Sequence, residues 1–379
     1  MAVILADCQD FNAEPCDSER KFLNIKDKSF PYYVKSGNPR IEYLKKHNFT
    51  EFLLIQHGGA SDAGNYFCIL QNSLNLEFCG NPLTSCPEAE KFYVFAPEFT
   101  KINDASSVEY FYWDGGWKEA GYDTSETISS FEVFDKIVEL ASGVEKIKFS
   151  GHSAGAQTMA RYSIGGNYRE YSEDIKFYAA NPSSAPYFSN SRPEIKFSEF
   201  CDNNSTINEK PITFTGNPQI STCAEYNNWP YGLSNLNDYF TNTNQNINFI
   251  TSNYKPEKLQ LISSNADNCC SCEVDCCDCE DTNGLDTSCG ANFQGKCRLE
   301  RVHAYSRHLE NEFQEREING VIDLKNVEHD GCVVFRHDLV RKCLFRDGCD
   351  NSSTQGTVEL MESLIYWTVV IFLLNELNK

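Results

Sequence analysis

The chain has 379 residues, 41% hydrophobic and 13% aromatic, which suits one large packed domain with an insertion and excludes a disordered chain. Asp and Glu number 54 against 33 Lys and Arg, a formal net charge of −21 that repels nucleic acid and anionic membranes and argues against either as a partner. Eighteen cysteines, an even count, point to cross-links in an oxidising compartment.

Met1-Ala-Val-Ile-Leu-Ala6 is too short and lacks the basic start of a signal peptide. The secreted or lumenal reading therefore rests on the cysteines and on N-x-S/T sequons starting at Asn48, Asn203, Asn204 and Asn351. Along the chain, strands alternate with helices, the pattern of a mostly parallel sheet covered on both faces. Phe52-Leu-Leu-Ile-Gln56 reads as a buried strand ending at His57-Gly-Gly59, and Phe92-Tyr-Val-Phe-Ala96 as the next, stopped by Pro97. Between Ser125 and Leu140, the residues Ile128, Phe131, Phe134, Ile137, Val138 and Leu140 recur at helical spacing. Lys146-Ile-Lys-Phe-Ser150 is a short strand that runs into Gly151-His-Ser-Ala-Gly155 and a helical stretch. Ile175-Lys-Phe-Tyr-Ala-Ala180 is another strand. The polar and aromatic segment after it, about 181–250, has no clear period and is the natural lid. Lys258-Leu-Gln-Leu-Ile262 restores a strand, and Val321-Ile-Asp-Leu-Lys-Asn-Val327 supplies the last.

The expected organisation is a single α/β domain over 1–355, with the lid, a Cys-rich loop at 268–297, and an apolar C-terminal tail or helix at 356–379. The Cys-rich loop holds cysteines 269, 270, 272, 276, 277 and 279. Soft metals bind such tracts through thiolates. No histidine lies nearby and a zinc site would use only four of the six, so disulfides holding the loop beside Asp267 are the favoured reading, and neither a metal nor any other cofactor is expected. In the tail, Leu364 to Leu374 would span about 16 Å as a helix against roughly 30 Å of hydrocarbon, too short to cross a membrane. A buried terminal helix is favoured over a lipid-anchor signal, because the chain ends in polar Asn375-Glu-Leu-Asn-Lys379.

The chemistry concentrates at Gly151-His-Ser153-Ala-Gly155. A serine hydroxyl is a weak nucleophile and must be presented to a base on an accessible turn. A sharp strand-to-helix elbow does this, with flanking glycines allowing the backbone to crowd. Here a β-rich run precedes the motif and Ala156-Gln-Thr-Met-Ala-Arg-Tyr162 follows it as a helix. That context predicts the α/β-hydrolase fold, a mostly parallel central sheet flanked by helices with a lid insertion. Acyl transfer also needs two amides aimed at the developing oxyanion. One belongs to Ala154, and the other to Gly59 or Ala60 after the earlier strand.

The base is expected after the last strand, and His329 alone of the seven histidines follows it directly. His303 and His308 fall in a helical stretch, and His337 is the main rival. The acid is expected after the strand beyond the lid, at Asp267, with Asp275, Asp278 and Asp286 as rivals. The order Ser153, Asp267, His329 is that of α/β-hydrolases. Tyr226, Trp229 and Tyr231, with Tyr239 and Phe240, would line an acyl or aryl pocket or else hold the lid together. The expected substrate is a small-molecule or polymer ester. The alternatives are a peptidase or amidase on the same triad, and a non-catalytic binding or structural protein of this fold.

Several blocks in a shared order resemble a little-characterised family of α/β-hydrolases known as secreted or putative esterases. They are Trp113-Asp-Gly-Gly-Trp-Lys118, Ile128-Ser-Ser-Phe-Glu-Val133, Gly151-His-Ser-Ala-Gly-Ala-Gln157, Arg161-Tyr162 and Ala180-Asn-Pro-Ser-Ser184. Cys223-Ala-Glu-Tyr-Asn-Asn-Trp-Pro-Tyr-Gly-Leu233, Leu285-Asp-Thr-Ser-Cys289, Gln294-Gly295, Arg298-Leu-Glu-Arg301 and Glu328-His-Asp-Gly331 continue the series over about 50–335. The resemblance implies Ser153 as nucleophile and His329 as base. The family's acid follows a Gly-Glu-Ala-Asp-like strand end, where this chain has Ser-Ser-Asn-Ala-Asp267; the six-cysteine insert and the apolar tail are further departures.

Overall fold

The computed structural model describes residues 15–100, 110–172, 174–194, 212–216, 222–264 and 284–349, together with Cys8 and Ala13. Asp267, the cysteines from 269 to 279 and the 356–379 tail lie outside the described residues.

Eight strands make the main sheet: β1 (Ser18–Ile25), β2 (Lys28–Lys35), β3 (Glu51–Gln56), β4 (Phe92–Pro97), β5 (Lys146–His152), β6 (Ile175–Ala180), β9 (Leu259–Ser264) and β10 (Ile322–Leu324). Their spatial order is β1-β2-β4-β3-β5-β6-β9-β10. The β1–β2 and β2–β4 pairs are antiparallel, while β4 through β10 run parallel. β3, β4 and β6 are largely apolar runs because both faces are covered. Along β3, Phe52 and Leu54 join one core with Phe131, Phe134 and Tyr162, whereas Leu53 and Ile55 join the other with Phe67, Leu70, Val334 and Leu344. Successive side chains on a strand point to opposite faces, so one short run feeds two cores.

The helices on those faces are α1 (Ala63–Cys79), α2 (Ser130–Ala141), α3 (Ala154–Gly165), α7 (Arg298–Glu312), α8 (Gly331–Arg336) and α9 (Asp338–Arg346). The expected helix from Ser125 starts later, at Ser130, because the Ser129 side chain and Glu132 close a capping box there. The β1–β2 hairpin was not foreseen. Its turn residues Lys26 and Asp27 take φ of 44° and 67°, the double positive φ of a tight hairpin turn, without the Asn-Gly or Asp-Gly pair that announces one.

Within the expected lid, β7 (Ser191–Glu194) pairs antiparallel with β8 (Thr213–Gly216), and α4 (Asp238–Asn242) and α5 (Ile247–Asn253) follow. A short α6 (Cys289–Asn292) precedes α7.

At the opening end of the strands a buried Lys148 pairs with Glu51 at 2.9 Å and Asp347 at 3.2 Å, and donates to Leu344 O at 2.8 Å. Burial pushes the Asp347 carboxyl up, but the hydrogen bond from Lys146 and the charges of Lys148 and Lys176 outweigh it and hold the group well below the usual carboxylate range.

Disulfides join Cys8–Cys332, Cys16–Cys68, Cys79–Cys86, Cys223–Cys289 and Cys343–Cys349, and Cys297 is disulfide-bonded as well. Cross-linking is thus the use made of the cysteines among the described residues. No helix among those residues is long and apolar enough to cross a membrane.

Candidate active site

β5 ends at His152, α3 begins at Ala154, and Ser153 turns the chain between them with φ 58° and ψ −116°. A non-glycine residue held there stores on the order of 1–3 kcal/mol of backbone strain, which the surrounding packing must maintain. The packing is visible at the two flanking glycines. A Cβ on Gly151 would lie 2.5 Å from the Gly155 carbonyl, and one on Gly155 would collide with Gln56 O and come within 2.7 Å of His57 O. The first turn of α3 therefore rests directly on the end of β3. Ser153 N donates to Ala180 O at 3.0 Å, and Ser153 O accepts from Gln157 N at 3.1 Å. The residue is half-buried, so it is accessible rather than sealed in the interior.

Ala154 is the first residue of α3 and is half-buried; Gly59 and Ala60 are exposed in the loop between β3 and α1. The preceding His57 is fully buried and anchors that loop. Its Nδ1 donates to Gly58 O at 2.7 Å and its Nε2 accepts from Phe99 N at 3.0 Å, which fixes a neutral ring with the proton on Nδ1. Trp117 packs on the same ring with centroids 4.9 Å apart.

His329 lies in the loop between β10 and α8, half-buried. Its ring centroid is 4.4 Å from that of His152, the residue immediately before Ser153. Sequence positions 153 and 329 are thereby brought to one end of the sheet. The rival histidines are committed elsewhere. His303 Nε2 is 2.8 Å from Asp323 Oδ1. His308 Nε2 accepts from Phe188 N at 2.8 Å, and burial, aided by Arg192, pushes this imidazole down to about 3. His337 caps α9 by accepting from Leu339 N at 3.3 Å.

Of the candidate acids, Asp267, Asp275 and Asp278 lie outside the described residues. Asp286 is described, and it ties Tyr231 and Ser184 of the 181–250 segment to Ser288. Its Oδ2 accepts from Tyr231 Oη at 3.0 Å and Ser184 Oγ at 3.1 Å, and its Oδ1 accepts from Ser288 N at 3.1 Å. Burial raises its carboxyl, but the bonds from Ser288 and Tyr231 and the charge of Arg161 outweigh that and lower it.

The aromatics of the 181–250 segment are held by comparable contacts. Tyr226 Oη donates to Asn190 O at 3.2 Å, with the Arg192 guanidinium 4.9 Å from its ring. Trp229 Nε1 donates to Glu119 O at 2.6 Å and its ring meets Phe240 at 4.7 Å. Tyr239 Oη donates to the buried Asp135 at 2.8 Å.

Three polar residues of the resemblance blocks, Arg161, Arg301 and Gln294, are buried hydrogen-bonding centres, a role those blocks did not assign. Arg161, two turns into α3, is fully buried; it donates to Ser184 Oγ at 2.9 Å and Lys118 O at 3.2 Å. Arg301 donates to Asp286 O at 2.8 Å, and Gln294 exchanges two bonds with the Ala185 backbone at 2.9 and 2.7 Å. Charged residues on a helix read as a solvated face, so their burial was not legible. A cavity of about 630 Å³ lined by Tyr168, Arg169, Tyr254, Lys258 and Arg316 lies at the other end of β9, away from Ser153.

Two solved structures share this architecture. A poly(3-hydroxybutyrate) depolymerase from Bordetella parapertussis superposes with a TM-score of 0.53 at 12% identity, covering 89% of this chain and 93% of its own. Poly(aspartic acid) hydrolase-1 from Sphingomonas sp. KT-1 gives 0.51 at 15% identity, covering 88% and 100%. Together with the strand order and the elbow, they decide the fold. The chain has the α/β-hydrolase fold. At such identities the likeness speaks for architecture alone. No family model and no curated protein matches the sequence.

Proposed function

We propose that this α/β-hydrolase-fold protein is a serine hydrolase that cleaves carboxylic esters through an acyl-enzyme on Ser153. One observation carries the reading: a half-buried serine in a strained turn between a central parallel strand and a helix, with His329 packed against its neighbour. Other non-glycine residues such as Ala120 and Asp347 take positive φ in the left-handed helical region, whereas Ser153 combines φ 58° with ψ −116°, a more strained conformation that supports a functional constraint.

In the proposed reaction, His329 takes the Ser153 proton as Oγ attacks the ester carbonyl. Negative charge moves to the carbonyl oxygen, which the amides of Ala154 and of Gly59 or Ala60 stabilise. The C–O bond to the alcohol then breaks, and His329 returns the proton to the departing oxygen. Water repeats the sequence on the acyl-enzyme and releases the acid. Asp267 orients His329 and stabilises its imidazolium. Tyr226, Trp229 and Tyr231 line the acyl side. The substrate class is a small-molecule or polymer ester, with no cofactor.

The disulfides further support a secreted or lumenal setting. There the exposed Asn48 of Asn48-Phe-Thr50 would be an accessible glycan acceptor.

A fluorophosphonate probe tests the hydrolase reading. Folded protein should be labelled, and Ser153→Ala should abolish labelling; unlabelled folded protein defeats it in favour of a non-catalytic role. p-Nitrophenyl esters of rising chain length set against peptide amides then decide between esterase and amidase.

A further inference from the structure

Tyr66, in the first turn of α1, touches three loops of the candidate site. Its hydroxyl lies 2.9 Å from Nδ1 of His152. The Gly58 backbone hydrogen-bonds the same phenol. A Cβ on Gly331 would come within 3.0 Å of Tyr66 Oη and 3.1 Å of His152 Nδ1, so the loop after His329 closes against both groups. Gly58 precedes Gly59 and Ala60, His152 precedes Ser153, and Gly331 follows His329 by two residues. One hydroxyl thus links the segments that carry the oxyanion amides, the nucleophile and the base.

His152 extends the link. It is buried, its ring meets that of His329 at 4.4 Å with 35° between the planes, and its Nε2 has no hydrogen-bond partner among the described residues. Burial pushes this imidazole well below its ordinary range, and the charges of His329 and Arg298 act in the same direction. Burial, with Asp62 and Asp330, raises the Tyr66 phenol. Both groups therefore stay neutral, with the phenol donating to Nδ1. Neutrality matters, because a cation at 152 would repel the imidazolium that forms when His329 takes the serine proton.

We propose that Tyr66 and His152 are positioning residues that act as one unit, holding the His329 ring and the Gly59–Ala60 amides in register with Ser153. The proposal rests on the Ser153 hydrolase reading and adds two residues to it.

The test uses the full chain, with wild type, Tyr66→Phe, His152→Asn and the double variant, on a p-nitrophenyl ester and a fluorophosphonate. Asn at 152 keeps a hydrogen-bonding atom near the Nδ1 position and removes the ring. Each single change should lower kcat about 10- to 100-fold, the scale of a small misplacement of reacting groups, with KM altered less than about twofold. Labelling rates should fall in parallel. The double variant should lose no more than the worse single, since residues acting as a unit are not additive. Unchanged kcat in the singles, or losses that multiply in the double, would overturn the proposal. If Tyr66→Phe does not fold, His152→Asn decides alone by the same kcat and KM criterion. Folded wild type that neither labels nor turns over defeats the hydrolase reading instead, whereas an active wild type with unaffected variants defeats only the positioning pair.

Discussion

Asp135 offers a test of the packing between α2, α3 and the 181–250 segment. It sits on α2, buried, and accepts from Tyr162 Oη at 2.7 Å, Asn167 N at 3.0 Å and Tyr239 Oη at 2.8 Å. Burial outweighs these three donors and pushes its carboxyl up to about 7 from an unfolded 3.8. A carboxyl raised in the folded state binds more protons there than in the unfolded chain. Stability therefore falls as pH rises from about 4 to about 7, and is level beyond. At about 1.4 kcal/mol per pH unit, the span amounts to about 4 kcal/mol in all, of which roughly 2–3 kcal/mol falls between pH 5 and 8. Asparagine keeps the shape and cannot ionise. Urea unfolding of wild type and Asp135→Asn at pH 5 and pH 8 isolates the effect, because His308 and His152 titrate alike in both proteins and cancel in the difference. The advantage of wild type over the variant should shrink by roughly 2–3 kcal/mol on going to pH 8. An advantage that is constant with pH would refute the buried, raised carboxyl.

Three further outcomes follow from the elbow and the sheet. Ser153→Gly should abolish labelling while raising stability by about 1 kcal/mol, because glycine relieves the positive φ; a loss of stability measured by denaturation would contradict the strain. Gly155→Ala should destabilise by about 2–3 kcal/mol or more and remove activity, because its Cβ meets the carbonyls of Gln56 and His57, which cannot retreat from the sheet; near-wild-type melting would show the contact to be soft. Lys148→Met should cost about 1–3 kcal/mol, since it removes the buried cation from Glu51 and Asp347 while Lys146 and Lys176 remain, and the loss should grow as pH rises through the carboxylate range and level off above it; a neutral effect would mean that solvent and the remaining lysines already serve those oxygens.

β3, β4 and β6 were legible as short, largely apolar runs, and the elbow because Gly-x-Ser-x-Gly stands between a strand-like run and a helical stretch. The place of His329 in the loop after β10 was legible, while its role as base remains part of the proposal. What escaped notice shares one physical cause. α1 buries Gln71, Asn72, Ser73 and Asn75 beside Phe67 and Leu70, so it carries no polar stripe to mark its period. α7 buries Arg298, Glu300, Arg301, His303 and His308, residues whose side chains normally point to water. Their partners come from distant segments: Ser183, Asp286 and Asp323 are visible only once the chain is folded. Tyr66 illustrates the same limit. A lone tyrosine near a helix start has no local pattern, and its meaning lies in Gly58, His152 and Gly331, up to 265 positions away. The lid aromatics had two open readings, and the bonds of Tyr226 to Asn190, Trp229 to Glu119 and Tyr231 to Asp286 supply the anchoring one without touching the acyl-lining one.

Trapping the covalent intermediate addresses the central claim most directly. The protein is mixed with excess p-nitrophenyl acetate, quenched in acid after a few turnovers, digested, and the acylated peptide sequenced by mass spectrometry. A stoichiometric acetyl group on Ser153 of the wild type, lost on standing at neutral pH, with acylation strongly slowed in His329→Ala, is the predicted result. Turnover with the acyl group on another residue, or with none trapped at Ser153 in the wild type, would contradict it.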